Sequence, residues 1–135
     1  MDDRHKLIYA CADGDLDEAT RLLSIGLDVN TVDDNGYSLL WLASYRNQSK
    51  IVQHLLTFPD IDVNQQDGHG NTPLYASLIG GQYHCAQLLL NDQRTDVTLI
   101  QDDSFTFRNC PTKKDFQPIV SILTRLPSLR QIKFV

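Results

Sequence analysis

Four histidines (His5, His54, His69 and His84) and three cysteines (Cys11, Cys85 and Cys110) are the side chains of this 135-residue chain best suited to metal binding or nucleophilic chemistry. Their spacing supports neither. Structural zinc sites use closely spaced His and Cys pairs, and the one close pair here is the adjacent His84-Cys85. Neighbours on a helix project about 100° apart, so one faces out when the other faces in. A helical reading puts His84 outward and Cys85 on a buried stripe. Gly68-His69-Gly70 is too short to be a phosphate-cradling glycine loop. Carboxylates are plentiful, but 16 of the 17 are Asp, the residue of turns and helix caps. No catalytic residue, cofactor site or metal site is expected.

The elements that would position any site follow from an internal repeat. Asp28-Val29-Asn30, Asp62-Val63-Asn64 and Asp96-Val97-Thr98 recur every 34 residues. Gly36 and Gly70 share that spacing, as do Ser38 and Thr72, Asn47 and Gly81, and Leu55-Leu56 and Leu89-Leu90. Ser38 and Thr72 carry hydroxyls that can cap a helix start. Pro73 follows at a position where a missing N–H costs nothing. Leu40, Leu42 and Ala43 form the apolar run of one short first helix, and Leu74, Ser77 and Leu78 that of the next. Gly14, Asn47 and Gly81 close these helices, because Gly and Asn tolerate the left-handed backbone. A second helix follows in each unit. Ile51, Val52, Leu55 and Leu56 fall on one stripe, as do Cys85, Ala86, Leu89 and Leu90. Gly26 and Pro59 terminate the first two copies. One helix pair buries too little surface to stand alone, so each unit needs the next.

Composition agrees with a soluble globular chain. Hydrophobic residues make up 41 % of it, and the net charge is −5. An acidic chain repels a phosphate backbone, so nucleic acid is not an expected partner. No stretch approaches the roughly 20 apolar residues of a membrane span. Sparse, odd cysteines and a start without an apolar leader suit a reducing, cytoplasmic compartment. The charge is uneven: residues 1–103 carry six basic and 16 acidic side chains, and residues 104–135 carry six basic side chains against Asp115 alone. That asymmetry fits an atypical end unit, or a second contact site for an acidic partner or membrane.

These residues are similar to the ankyrin repeat, whose pattern runs Thr-Pro-Leu-His, a closing Gly, an apolar second helix and Gly-Ala-Asp-Val-Asn. Thr72-Pro73-Leu74, Gly81, Leu88-Leu89-Leu90 and Asp96-Val97 carry the match in one unit. Ser38, Leu40, Leu42-Ala43, Ile51-Val52 and Asp62-Val63-Asn64 carry it in another, and Leu7, Ala10, Gly14, Leu22-Leu23, Gly26 and Asp28-Val29-Asn30 in the first. The resemblance implies an all-α solenoid of helix-turn-helix units joined by hairpin-like arms. The expected division is one domain over 1–135, with repeats at about 1–32, 33–66 and 67–100 and a degenerate capping repeat at 101–135. Ile8, Trp41 and Tyr75 replace the family His, and Ala76 and Leu78 exchange its large and small positions. In the last unit Arg108 and Pro111 disfavour a first helix, whereas Ile119, Val120, Ile122 and Leu123 keep the phase of a second.

The resemblance also implies a monomeric protein-binding module that uses a strip of hairpin tips and first-helix ends. The hairpin positions are Asp34, Asn35 and Tyr37, then His69 and Asn71, then Asp102, Asp103 and Phe105. The helix-end positions are Ala12 and Asp13, then Tyr45 and Arg46, then Ile79 and Gly80. Two other readings accompany it. The chain is the recognition part of a larger enzyme or effector, or it is a substrate of asparaginyl hydroxylation at Asn30 and Asn64. Trp41 and Tyr75, equivalent on successive first helices, read as packing rather than a ligand box.

Overall fold

A computed structural model describes residues 2–100, together with the backbone of 104–107 and 131–134. Six helices form three pairs: α1 (Asp3–Asp13) with α2 (Leu16–Ser24), α3 (Leu39–Tyr45) with α4 (Ser49–Leu56), and α5 (Pro73–Ile79) with α6 (Tyr83–Asn91). The first helices stack in the order α1, α3, α5, and the second helices in the order α2, α4, α6. A short 3₁₀ turn at Val97–Leu99 ends this series.

Local chemistry starts and stops each first helix. Ser38 Oγ accepts from Trp41 N at 3.0 Å, and Thr72 Oγ1 from Tyr75 N at 3.3 Å. Asp2 serves α1 in the same way, accepting from His5 N at 2.9 Å. At the far ends Gly14, Asn47 and Gly81 take φ of 87°, 60° and 71°. Asn47 is the one non-glycine with positive φ among the described residues. Gly14 is constrained twice, since a Cβ there would lie 2.3 Å from Gln48 Oε1.

The core is the apolar stripe of all six helices. Leu7, Leu22, Leu40, Ile51, Leu55, Leu74, Leu78 and Leu89 are fully buried. Leu39, which the period alone left outside the stripe, is buried as well. Leu42, Leu56, Leu88 and Leu90 are only partly buried at its edge. Burying apolar area at about 25 cal/mol per Å² is what stabilises units that are too small alone.

Side chains also bond one unit to the next. Asn30 Nδ2 donates to Asp60 O and Asn30 Oδ1 accepts from Asp62 N, each at 2.8 Å. Asn64 repeats the pattern with Arg94 O and Asp96 N, again at 2.8 Å. Gln48 Nε2 donates to Ala12 O at 3.0 Å. Arg94 reaches back to Leu56 O at 2.8 Å and Phe58 O at 3.0 Å, so it caps the end of α4 from the following unit.

Beyond the third unit, β1 (Ser104–Phe107) pairs in parallel with β2 (Gln131–Phe134), Ser104 opposite Gln131. The 34-residue period would start a fourth first helix at Thr106, and there the backbone is extended instead. The expected second helix around Ile119–Leu123 lies outside the described residues, as do Arg108 and Pro111.

Candidate functional groove

The hairpin arms are built from aspartates that fold the chain onto itself. Asp33 Oδ1 accepts from the backbone N–H of Asn35 and of Tyr37, both at 2.9 Å. Asp67 Oδ1 accepts from His69 N at 2.8 Å and Asn71 N at 3.0 Å. Asp33 N to Tyr37 O and Asp67 N to Asn71 O, each 2.9 Å, close the two tips. The tips stand side by side: a Cβ added to Gly36 would lie 3.7 Å from Gly68 N.

From the first tip an aromatic ladder runs down α3. Tyr37 stacks on Trp41 with ring centroids 4.0 Å apart, and Trp41 on Tyr45 at 5.2 Å, each pair 22° from parallel. Trp41 is 8 % exposed and Tyr45 is 42 % exposed, so the ladder passes from buried to open. The Trp41 indole N–H is buried and has no hydrogen-bond partner among the described residues. Gly80 leaves room for Tyr45, because a Cβ there would meet the Tyr45 ring at 3.3 Å and its carbonyl oxygen at 3.2 Å.

The ladder forms one wall of a groove of about 490 Å³ between the second and third units. Asn35, Tyr37, Tyr45, Arg46, His69, Asn71 and Ile79 line it, seven of the fourteen positions expected to meet a partner. Asp33, Trp41, Leu42 and Asp67 complete the lining. Arg46 leans toward the first unit, with its guanidinium 3.5 Å from Asp13. Asp34 stands apart, 3.5 Å from Arg4 and 3.9 Å from His5. Asp102 and Asp103 lie outside the described residues, and of Phe105 only the backbone is described. One helix-end expectation is corrected: Ala12 is buried, held under Gln48, and presents no free side chain.

Trp41, which the sequence presents as packing, also lines the groove. Part of the signal was present: Trp41 and Tyr45 are four residues apart on α3, the spacing at which helical side chains meet, whereas Tyr37 precedes the helix. Asp33 and Asp67, turn residues as aspartates in general are expected to be, reach the groove besides.

No three His, Cys, Asp or Glu side chains among the described residues converge on a point where a metal could sit. Cys11 and Cys85 are buried and unpaired, and burial pushes their thiols up to about 12 and about 11. Such thiols are poor nucleophiles. No described helix is long and apolar enough to cross a membrane.

A family model describing three ankyrin repeats matches residues 7–101. Delta-latroinsectotoxin-Lt1a of Latrodectus tredecimguttatus is 36 % identical over 77 residues, covering 56 % of this chain and 6 % of the toxin. An ankyrin repeat protein of Rickettsia bellii is 29 % identical over 124 residues, covering 79 % of this chain and 49 % of that protein. The human photoreceptor ankyrin repeat protein is 34 % identical over 88 residues, covering 63 % of this chain and 20 % of its own length. The chain thus spans half or less of the length of these curated relatives.

Proposed function

We propose that this chain, which belongs to the ankyrin-repeat family, is a protein-interaction module whose partner lies across the groove between its second and third units. Ankyrin repeats in general mediate protein–protein contacts, and the groove supports a particular place for one here. The observation that carries this reading is the stacked Tyr37–Trp41–Tyr45 ladder opening onto a groove rimmed by Asn35, His69, Asn71 and Arg46. Binding energy concentrates in a few Tyr, Trp and Arg side chains surrounded by polar contacts. The same proposal has the module act as a monomer in a reducing, cytoplasmic compartment, in keeping with the unpaired buried thiols of Cys11 and Cys85.

The test is affinity capture from the native cell, identification by mass spectrometry, and calorimetry on the captured partner. Replacing Tyr45 and Arg46 together with Ala should weaken binding tenfold or more, since hot-spot truncations cost about 2 kcal/mol or above. Lys50→Ala with Gln53→Ala, on the exposed side of α4, should leave affinity unchanged. The reverse pattern would move the site to the second-helix face and defeat this reading.

The relatives' lengths favour one further reading, that the chain is the recognition part of a larger protein whose chemistry lies elsewhere. Hydroxylation at Asn30 and Asn64 draws no support from the geometry, because both amides are engaged between units.

A further inference from the structure

We propose that the groove is specific for a basic protein segment, one carrying Lys or Arg, which rests on the groove being the binding site. Three observations converge on a cation. First, Asp33 and Asp67 line the groove, and each gives one oxygen, Oδ1, to its hairpin N–H groups. Neither carboxylate has a cationic partner among the described residues, although six other acidic side chains near Arg, Lys or His do. Their remaining oxygens are open to an incoming ammonium or guanidinium, which binds carboxylate through charge-assisted hydrogen bonds.

Second, the same groove is lined by the Tyr37–Trp41–Tyr45 ladder, whose exposed end ring, Tyr45, has one face not stacked on Trp41, and such a face attracts cations. Third, the described units carry an excess of negative charge. Residues 2–100 hold 14 acidic and six basic side chains. Arg46, the one Lys or Arg on the lining, is turned toward Asp13. An acidic segment would meet unpaired carboxylates, and a wholly apolar one would leave them facing it without partners.

Trp41 is the only tryptophan of the chain, so its emission reports on the groove directly. The experiment is selection of a phage-displayed library of random twelve-residue peptides on the full chain, followed by titration of one enriched peptide while Trp41 fluorescence is read. Enriched peptides should carry Lys and Arg at several times their frequency in the library, and binding should shift or quench Trp41 emission. Asp33→Asn with Asp67→Asn keeps an oxygen for each hairpin turn and removes both charges. It should weaken binding at least tenfold with an unchanged melting point, and raising salt from 50 to 500 mM should weaken the unmodified chain similarly. Enrichment of apolar or acidic peptides that still move Trp41 emission would overturn the basic-segment inference and leave the groove standing. Basic peptides that bind without moving that emission would overturn both. Selection that yields no enriched peptide would also overturn the inference, and the Tyr45 and Arg46 substitutions measured on the captured partner then judge the groove by itself.

Discussion

Arg94 shows how much one side chain can contribute to joining two units. Its guanidinium donates to Leu56 O and Phe58 O of the unit before it, and it pairs with Asp92 at 2.7 Å. The hydrogen bond from Arg94 holds the Asp92 carboxyl below its ordinary value of 3.8. A carboxyl so depressed stabilises the fold above its unfolded value, and that contribution fades as the pH falls through the folded one. Arg94→Met should therefore destabilise by about 1 kcal/mol at pH 7, the charged-bond range discounted for partial exposure. In urea melts the deficit should shrink below pH 3.8 yet persist, because the carbonyl bonds do not titrate. A deficit that does not change with pH would mean the Asp92 pair contributes nothing. The buried thiols give a second residue-scale expectation. Cys11 and Cys85 should resist iodoacetamide at pH 8 in the folded chain and react once it is unfolded in urea, with the modified peptides resolved by mass spectrometry.

The helix ends were largely legible in the sequence because their chemistry is local. A hydroxyl at Ser38 or Thr72 needs only the N–H three residues on, and Gly14, Asn47 and Gly81 answer to backbone angles that neighbouring residues set. Apolar stripes were legible for the same reason, since a helix period decides which face is buried. Contacts made across units were not. The Gln48 bond to Ala12, the reach of Arg94 and the contact of Tyr45 with Gly80 depend on how two units sit together, which no window of sequence contains. The site follows the same division: the strip could be counted out from the repeat, but the Trp41 ladder appears only once α3 is packed. The end of α3 offers the element-scale test. Asn47→Gly should change stability by less than about 0.5 kcal/mol, whereas Asn47→Ala places a Cβ residue of poor left-handed tolerance there and should cost about 1 kcal/mol. Gly14→Ala should cost more than that, having both φ of 87° and the Gln48 side chain against it. Equal melting points for the two alanine variants would show that crowding by Gln48 has no consequence.

At the scale of the whole molecule, stability resides between units, and this ties all three into one folding event. Leu55 of α4 is fully buried in the central unit, flanked by helices on both sides. Leu55→Ala should cost about 2–5 kcal/mol, and the loss should lower the midpoint of Trp41 fluorescence and of far-UV circular dichroism together. Separate midpoints would mean that the units unfold independently. The same dependence bears on the C-terminal part. α1 is covered by α3 and α3 by α5, and each second helix is covered by the next, whereas α5 and α6 have no following helix pair among the described residues. The backbone of β1 lies against α5, which is where a covering segment would begin. A solenoid needs an end unit whose outer face is polar, and residues 104–135, with six basic side chains, have the composition for it. We propose on these grounds that 104–135 form the cap of the stack. Deleting from Ser104 onward should leave Leu88, Leu90 and the outer face of α5 uncovered, lower the melting point and promote aggregation. Because the units share their stability, the loss should reach Trp41 emission in the second unit as well as total helix content. A truncated chain that stays soluble and monomeric with an unchanged midpoint would show that the third unit ends the stack by itself.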